Sequence, residues 1–546
     1  MKPIATLVLA FVFANLAPAA SASARAPKKP KDRTAKSATK GNWPDPDHGL
    51  RATRFSPLTQ ITAKDAPRLG KVCDYAFPEK QTSETSPVVW DGVLYATSAH
   101  DTVALDASTC KVKWLEKWTP RGPEPDHTDR NRGAVYADGK IVRGTPDDYL
   151  IAMDAKDGRI VWARQIADPR KGYFISMVPL VHGGLIYVGP AGAEWASSGW
   201  VGAYKLSDGS PVWKFHIVPQ GGEPGAETWG PDPAARTHGG GNLWTELTFD
   251  TKRDLLYVPG GNAAPDLYSV GRPGANLYTN SIMALDGQTG RLVWYHQFIP
   301  HDTHDYDQTH AGPLFETKID GELRSVVATT GKNGILSVLD RHTRKLIYSV
   351  PFATQLNNQA ELTTTPVHVC PGPLGGQLWS GSGFNPQLNL IVVQSVEWCA
   401  TMAAATAKPS AEHAEAYGEY WGGMHKVDPW PEAHGRVTAF DASTGKMVWR
   451  HPTPQPMVGG LTLTASNLVF TGELNGDFDV MDARTGKMLY QYPLHNAVQG
   501  GVITYLAGGS QYVAVVSGGG GVYGRIRPNI GDVTTLSVFG LRNRGQ

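Results

Sequence analysis

Four oxygen-bearing side chains stand in glycine-rich or turn-forming segments of this 546-residue chain. They are Glu194 in GPAGAEW, Asn262 in VPGGN, and Asp305 and Asp307 in PHDTHDYD. Carboxylates and carboxamides are hard donors of the kind that calcium and other hard cations take. Asp305 and Asp307 are two residues apart, so in extended chain both carboxylates face the same side. Taken singly, an acid or amide in a turn is most often only a turn residue. These side chains make a site only if an architecture gathers distant loops around one axis.

A repeat supplies that architecture. The phrase Ala-x-Asp-x-x-x-Gly-x-x-x-Trp returns seven times with some decay. The copies are ALDASTCKVKW (104–114), AMDAKDGRIVW (152–162), AYKLSDGSPVW (203–213), ALDGQTGRLVW (284–294), VLDRHTRKLIY (338–348), AFDASTGKMVW (439–449) and VMDARTGKMLY (480–490). Each reads as strand, tight turn, strand, with Gly where a positive φ is needed. The Trp is large enough to staple one sheet to the next. The closest copies recur every ~40 to ~55 residues, the length of a four-stranded propeller blade. The intervals from Trp213 to Trp294 and from Tyr348 to Trp449 are longer and must hold insertions or a blade without the motif. The expected fold is all-β: an eight-bladed propeller of four-stranded antiparallel blades with tryptophan docking. Seven blades carry the motif and one is closed by the two termini. A solenoid would need capping ends, and none stand out.

The chain divides into three parts. Residues 1–24 have a basic residue, an apolar run and small residues at Ala22 and Ala24, the pattern of a secretory signal peptide. Residues 25–41 read as a basic disordered leader, and 42–546 as the propeller. The first 40 residues hold eight Lys or Arg and one Asp, leaving 43 basic and 49 acidic residues beyond them. A mildly acidic body gives no case for nucleic acid. No later apolar run is long enough to span a bilayer, and no Cys follows the signal to take a lipid. An exported, periplasmic protein is expected. Its four cysteines allow three disulfide pairings. The favoured one joins Cys73 to Cys110, which replaces the Gly of the first repeat, and Cys370 to Cys399, which flank one strand pair. No C-x-x-C-H motif is present for a c-type haem.

Further segments occur in order along the chain: RATRFSPLTQITAKDAPRL, GKNGILSVLDR and CPGPLGGQLW, interleaved with the segments above. Together they resemble the pyrroloquinoline quinone (PQQ) dependent alcohol dehydrogenases, eight-bladed quinoproteins that include methanol dehydrogenase. The resemblance covers nearly everything from residue 42 onward. It implies PQQ, a flat tricyclic quinone with three carboxylates, and one metal ion. Glu194, Asn262 and Asp305 match the family's cation ligands. Asp307 matches an additional Asp of the lanthanide-using branch, so a lanthanide(III) ion is favoured, with Ca2+ as the alternative. Asp305 has a second implied role as the base that takes the alcohol's hydroxyl proton while hydride moves to the quinone. Trp244 in GGGNLWTE aligns with the Trp that stacks under the quinone. Arg132 in NRG and Lys332 in GKNG align with basic cofactor contacts. Glu194 and Trp379 in GGQLW are also set beside the cofactor.

The chain departs from the family's pattern near the cofactor. Relatives often carry two adjacent cysteines before NRG that cap the quinone; this chain has Asp126 and His127, and His127 is a candidate to stack there instead. Leu378 stands where relatives often have Asn, and His304 where they have a Trp next to the substrate space. The implied reaction is oxidation of a primary or secondary alcohol, including bulky ones, to an aldehyde or ketone, with electrons passed to a separate soluble cytochrome c. Two competing readings are a non-catalytic propeller scaffold of the outer-membrane assembly type and a propeller hydrolase. Such a scaffold usually has a lipid-modified Cys after its signal and need not retain Glu194, Asn262, Asp305 and Lys332, and the hydrolase does not explain Lys332 and Trp244.

Overall fold

Six of the seven hairpins built on the repeat begin with an aspartate that caps its own turn; the third has Lys205 there, and Asp208 accepts from the Ser210 amide instead. In the first, strands Asp101–Asp106 and Val112–Lys117 flank the turn, and Asp106 Oδ1 accepts from the Ser108 and Thr109 amides, both at 3.1 Å. Asp286, Asp340 and Asp441 make the same pair of bonds to the second and third residues after them. This satisfies amides that the turn removes from the ladder. A computed structural model describes residues 41–78, 84–126, 128–521, 523 and 533–542. The signal peptide (1–24), all but residue 41 of the leader, and His127 lie outside the described residues.

Among the described residues the strands form six four-stranded sheets, two five-stranded sheets and one three-stranded sheet. Pairing is antiparallel throughout, except where Phe55–Ser56 adds a short parallel edge beside Leu463 and Thr464. The second long interval holds the three-stranded sheet, Val367–Val369, Ala400–Ala404 and Gly423–Val427, with the helix Ala411–Tyr417. The first holds loops and the short helices Ala226–Trp229 and Ala234–Thr237. Both disulfides have the favoured pairing, Cys73–Cys110 and Cys370–Cys399.

The aromatic that ends each repeat reaches the next sheet. The indole nitrogens of Trp114, Trp162, Trp213 and Trp449 donate to the carbonyls of Ala155, Leu206, Gly287 and Ala483, at 2.9 to 3.2 Å. Tyr348 and Tyr490 donate through their hydroxyls to Ala442 and Leu69. The ring lies over the Gly of the next turn: a Cβ on Gly209 (φ +70°) would sit 2.7 Å from Trp162. That Gly is therefore required twice, for its backbone angle and for the space it leaves. Where the repeat has Arg344 (φ 64°) instead of Gly, the docking is incomplete. Trp294 packs with Val327 and Leu339, but its indole nitrogen has no partner.

The seam between the chain's ends uses different chemistry in the same place. Strand Leu69–Ala76 pairs with Thr535–Leu541, with Cys73 opposite Val538 just past a bulge. Trp114 holds the same register position opposite Ala104, also just past a bulge. Cys110 occupies the docking Gly position of the first repeat. The Cys73–Cys110 disulfide thus stands where the other sheets use an aromatic ring over Gly.

Candidate active site

Antiparallel strands alternate direction. Loops joining the second and third strands of a sheet, and crossovers from one sheet to the next, therefore fall at one end, opposite the repeat turns. Glu194, Asn262 and Lys332 lie on second-to-third loops, after strands Leu185–Val188, Leu255–Pro259 and Glu322–Gly331. Arg132, Trp244, Asp305, Asp307 and Trp379 lie on crossovers. All eight line one cavity of about 620 Å³.

Glu194 sits on the short helix Ala193–Trp195, preceded by Gly192 at φ +125°. A side chain at Gly192 would run into the Gly172 carbonyl. Asp305 holds a left-handed backbone (φ 59°), uncommon for a residue with a Cβ and found where a site fixes a side chain's aim. Asp302 holds that loop: its carboxylate accepts from the His304 amide at 3.0 Å and the Tyr306 amide at 2.8 Å. Asn280 donates to the Tyr306 carbonyl at 2.9 Å.

Lys332 is buried between two acids, its Nζ 2.8 Å from Asp305 Oδ1 and 2.8 Å from Asp307 Oδ2. Burial works against the ammonium, but Asp305, Asp307 and Glu194 outweigh it and hold its pKa above the ordinary lysine value. Burial likewise pushes the Asp305 carboxyl well above its usual range, opposed by Lys332 and reinforced by Asp307 and Glu194. Asp305 Oδ2 has no hydrogen-bond partner. Asp307 Oδ1 accepts from the Asn262 amide at 2.8 Å. Gly261 leaves room for this: a Cβ there would lie 2.9 Å from Asp307 Oδ1.

The acid that joins Glu194 and Asp305 is Asp266. One carboxylate oxygen from each of the three lies within 4.8 Å of the others, and Asp307 is outside that trio. Asp266 follows Asn262 in the same loop and accepts from its Nδ2 at 2.8 Å. Sequence reading missed it because an acid after Ala-Ala-Pro looks like turn chemistry.

Basic and aromatic groups form the rest of the cavity. The Arg132 guanidinium carbon lies 5.0 Å from the Trp244 ring centroid and 5.7 Å from that of Trp379. Arg132 pairs with Glu84 at 2.6 Å and donates to Ser176 Oγ and the Trp244 carbonyl. Lys332 Nζ lies 5.6 Å from the Trp244 centroid. Trp379 is fixed by its indole bond to the Gln499 carbonyl at 2.7 Å. The second long interval contributes Leu374, Tyr417, Trp421 and His425 to the wall. His304 is not in the wall; it stacks on Tyr306 at 5.1 Å.

A family model described as PQQ: Glucose/ethanol/alcohol dehydrogenase, beta-propeller domain, matches residues 43–354 and 450–513. The chain is 30% identical over 550 residues to the quinohemoprotein alcohol dehydrogenase ADH IIB of Pseudomonas putida, covering 93% of this chain and 77% of that one. It is 31% identical over 591 residues to the quinohemoprotein alcohol dehydrogenase of Comamonas testosteroni, covering 98% and 82%. A europium-containing methanol dehydrogenase superposes with a TM-score of 0.85 at 26% identity, over 94% of this chain and 100% of that one.

Proposed function

The chain belongs to the PQQ-dependent alcohol dehydrogenases, and we propose that it oxidises a primary or secondary alcohol at the cavity between Trp244 and the Glu194–Asp305 carboxylates. The observation that carries this reading is the meeting of four features in one cavity: oxygen donors, a buried lysine, an arginine and a tryptophan face. The donor set fits a hard cation, and the unpartnered, buried Asp305 Oδ2 supports a ligand there. The aromatic face and the two cations suit a flat quinone bearing carboxylates.

When bound, PQQ supplies the hydride-accepting carbonyl and the cation a Lewis acid that polarises it. Glu194, Asn262 and Asp305 would hold the ion, with Asp307 beside them. Asp305 takes the hydroxyl proton of the alcohol; a cation and Lys332 both favour the ionised carboxylate, the form able to accept it. Lys332 would also donate toward the quinone oxygens, where its charge favours added negative charge. Arg132 would bind a cofactor carboxylate, Trp244 would support the ring, and Trp379 would pack beside it. Four acids around one lysine favour a lanthanide over calcium.

Leu374, Leu378, Trp421 and Val427 give the cavity an apolar side that supports a bulky alcohol. All four cysteines are in disulfides. This supports an oxidising compartment, consistent with export to the periplasm; it also leaves no cysteine to hold a haem covalently, which suits electron transfer to a separate cytochrome c. Among the described residues no helix is long and apolar enough to cross a membrane. The succession of docking contacts from sheet to sheet, closed by Cys73–Cys110, supports eight blades. The test is reconstitution with PQQ and lanthanum or calcium, followed by dye reduction with primary, secondary and polycyclic alcohols. Wild type turns over and Asp305→Asn, still binding PQQ, does not; an unimpaired variant removes Asp305 from the mechanism.

A further inference from the structure

We propose that Asp266 is a further protein donor to the cation and that its charge is what fits the site to a trivalent ion. This rests on the cation site proposed above and concerns a residue outside that ligand set. Asp266 is fully buried. Its Oδ1 takes the Asn262 amide group at 2.8 Å, and its Oδ2 has no hydrogen-bond partner. A buried carboxylate oxygen left this way costs several kcal/mol unless a cation or proton meets it.

The geometry favours a cation. One carboxylate oxygen from each of Glu194, Asp266 and Asp305 lies within 4.8 Å of the other two. One ion at the ~2.3–2.6 Å typical of hard cations can touch all three. Asp266 does not line the cavity itself. The Asn262 bond holds it in place and fixes the orientation of a second donor, Asn262 itself.

Charge sets the choice of ion. Glu194, Asp266, Asp305 and Asp307 bring four negative charges against the single ammonium of Lys332. Farther out, Arg272 and Asp302 carry opposite charges, and Arg272 Nη2 donates to the Asp302 carbonyl at 2.6 Å. Within this set of four acids and one lysine three net negative charges remain, which suit a trivalent ion better than a divalent one. Without Asp266 the balance falls to that of a divalent ion.

The test is metal binding by the full chain, alone and with PQQ, followed by terbium(III) luminescence and by calcium competition. Asp266→Asn keeps the volume and removes the charge; Glu194→Gln is the reference. We expect Asp266→Asn to weaken terbium binding about 100-fold and calcium binding less than about tenfold. Near-UV circular dichroism reports whether each variant is folded, and Asp266→Ala replaces Asn if that variant is not. If Glu194→Gln weakens terbium and Asp266→Asn stays within about twofold of wild type, Asp266 does not touch the ion and the proposal fails. If neither variant changes binding, the cation site itself is wrong. An equal loss for both metals also overturns the selectivity claim.

Discussion

Lys332 is the residue on which the site's electrostatics turn, because its ammonium pairs with both Asp305 and Asp307. Replacing it with Met leaves Asp305 and Asp307 without their ammonium, and breaking a buried pair this way costs about 3–5 kcal/mol. Urea denaturation of the metal-free chain should show that loss, and saturating lanthanum should reduce it; an unchanged midpoint would mean the acids are neutral without Lys332. Asp307→Ala removes one acid while leaving Glu194, Asp266 and Asp305, so metal preference should move from lanthanide toward calcium. Equal lanthanide activation in the variant would separate Asp307 from metal choice. The oxygen donors and Lys332 were legible as residue types in marked segments. Asp266 was not, because its signal is an oxygen without a partner, a property of three dimensions. The placement of His304 was not legible either: its ring stacks on Tyr306 and it does not line the cavity.

At the level of the element, the docked ring over Gly makes a sharp contrast between two glycines. Gly209→Ala forces a methyl to within 2.7 Å of Trp162 and also strains a φ of +70°. Gly183 has φ +61° and nothing within 4 Å, so Ala there meets only the backbone cost, about 1–2 kcal/mol. Gly209→Ala should lower the unfolding midpoint clearly more than Gly183→Ala; equal losses would mean the ring simply moves aside. A second element-level test concerns pH. Asp479, in strand Asp477–Asp482, is pushed up to about 8 by burial and by Glu473, which burial raises to about 7. Both acids bind protons more tightly folded than unfolded, so their stabilising effect is full below the ordinary carboxylate range and is lost as pH rises toward 8. Asp479→Asn should flatten the fall in stability between those limits, as read from denaturation at each pH. The Asp-turn-Gly-Trp phrase made these hairpins legible in advance. The three-stranded sheet at Val367–Val427 was legible only as excess length, since its strands carry no repeat.

For the molecule as a whole, the repeat foretold the sheets and how they succeed one another, while the seam depended on a substitution visible in the sequence at Cys110. Cys73 and Cys110 occupy the ring and Gly positions of a docking pair, so the disulfide does the same work at the join between the chain's ends. Cys73→Ser with Cys110→Ser should cost about 2–4 kcal/mol, and Cys73→Trp with Cys110→Gly should recover part of it. No recovery in guanidinium unfolding would show that the bond does something a docked ring cannot. Loops from separate sheets and the second long interval converge on one end, and the chemistry assigned to that end stands or falls on a single ion beside Trp244. The most direct measurement is anomalous diffraction at a terbium edge from crystals grown with PQQ and terbium(III). The account predicts one strong peak about 2.3–2.6 Å from carboxylate oxygens of Glu194 and Asp305, with the cofactor lying on the Trp244 face. A peak elsewhere, or a Trp244 face without cofactor, contradicts it.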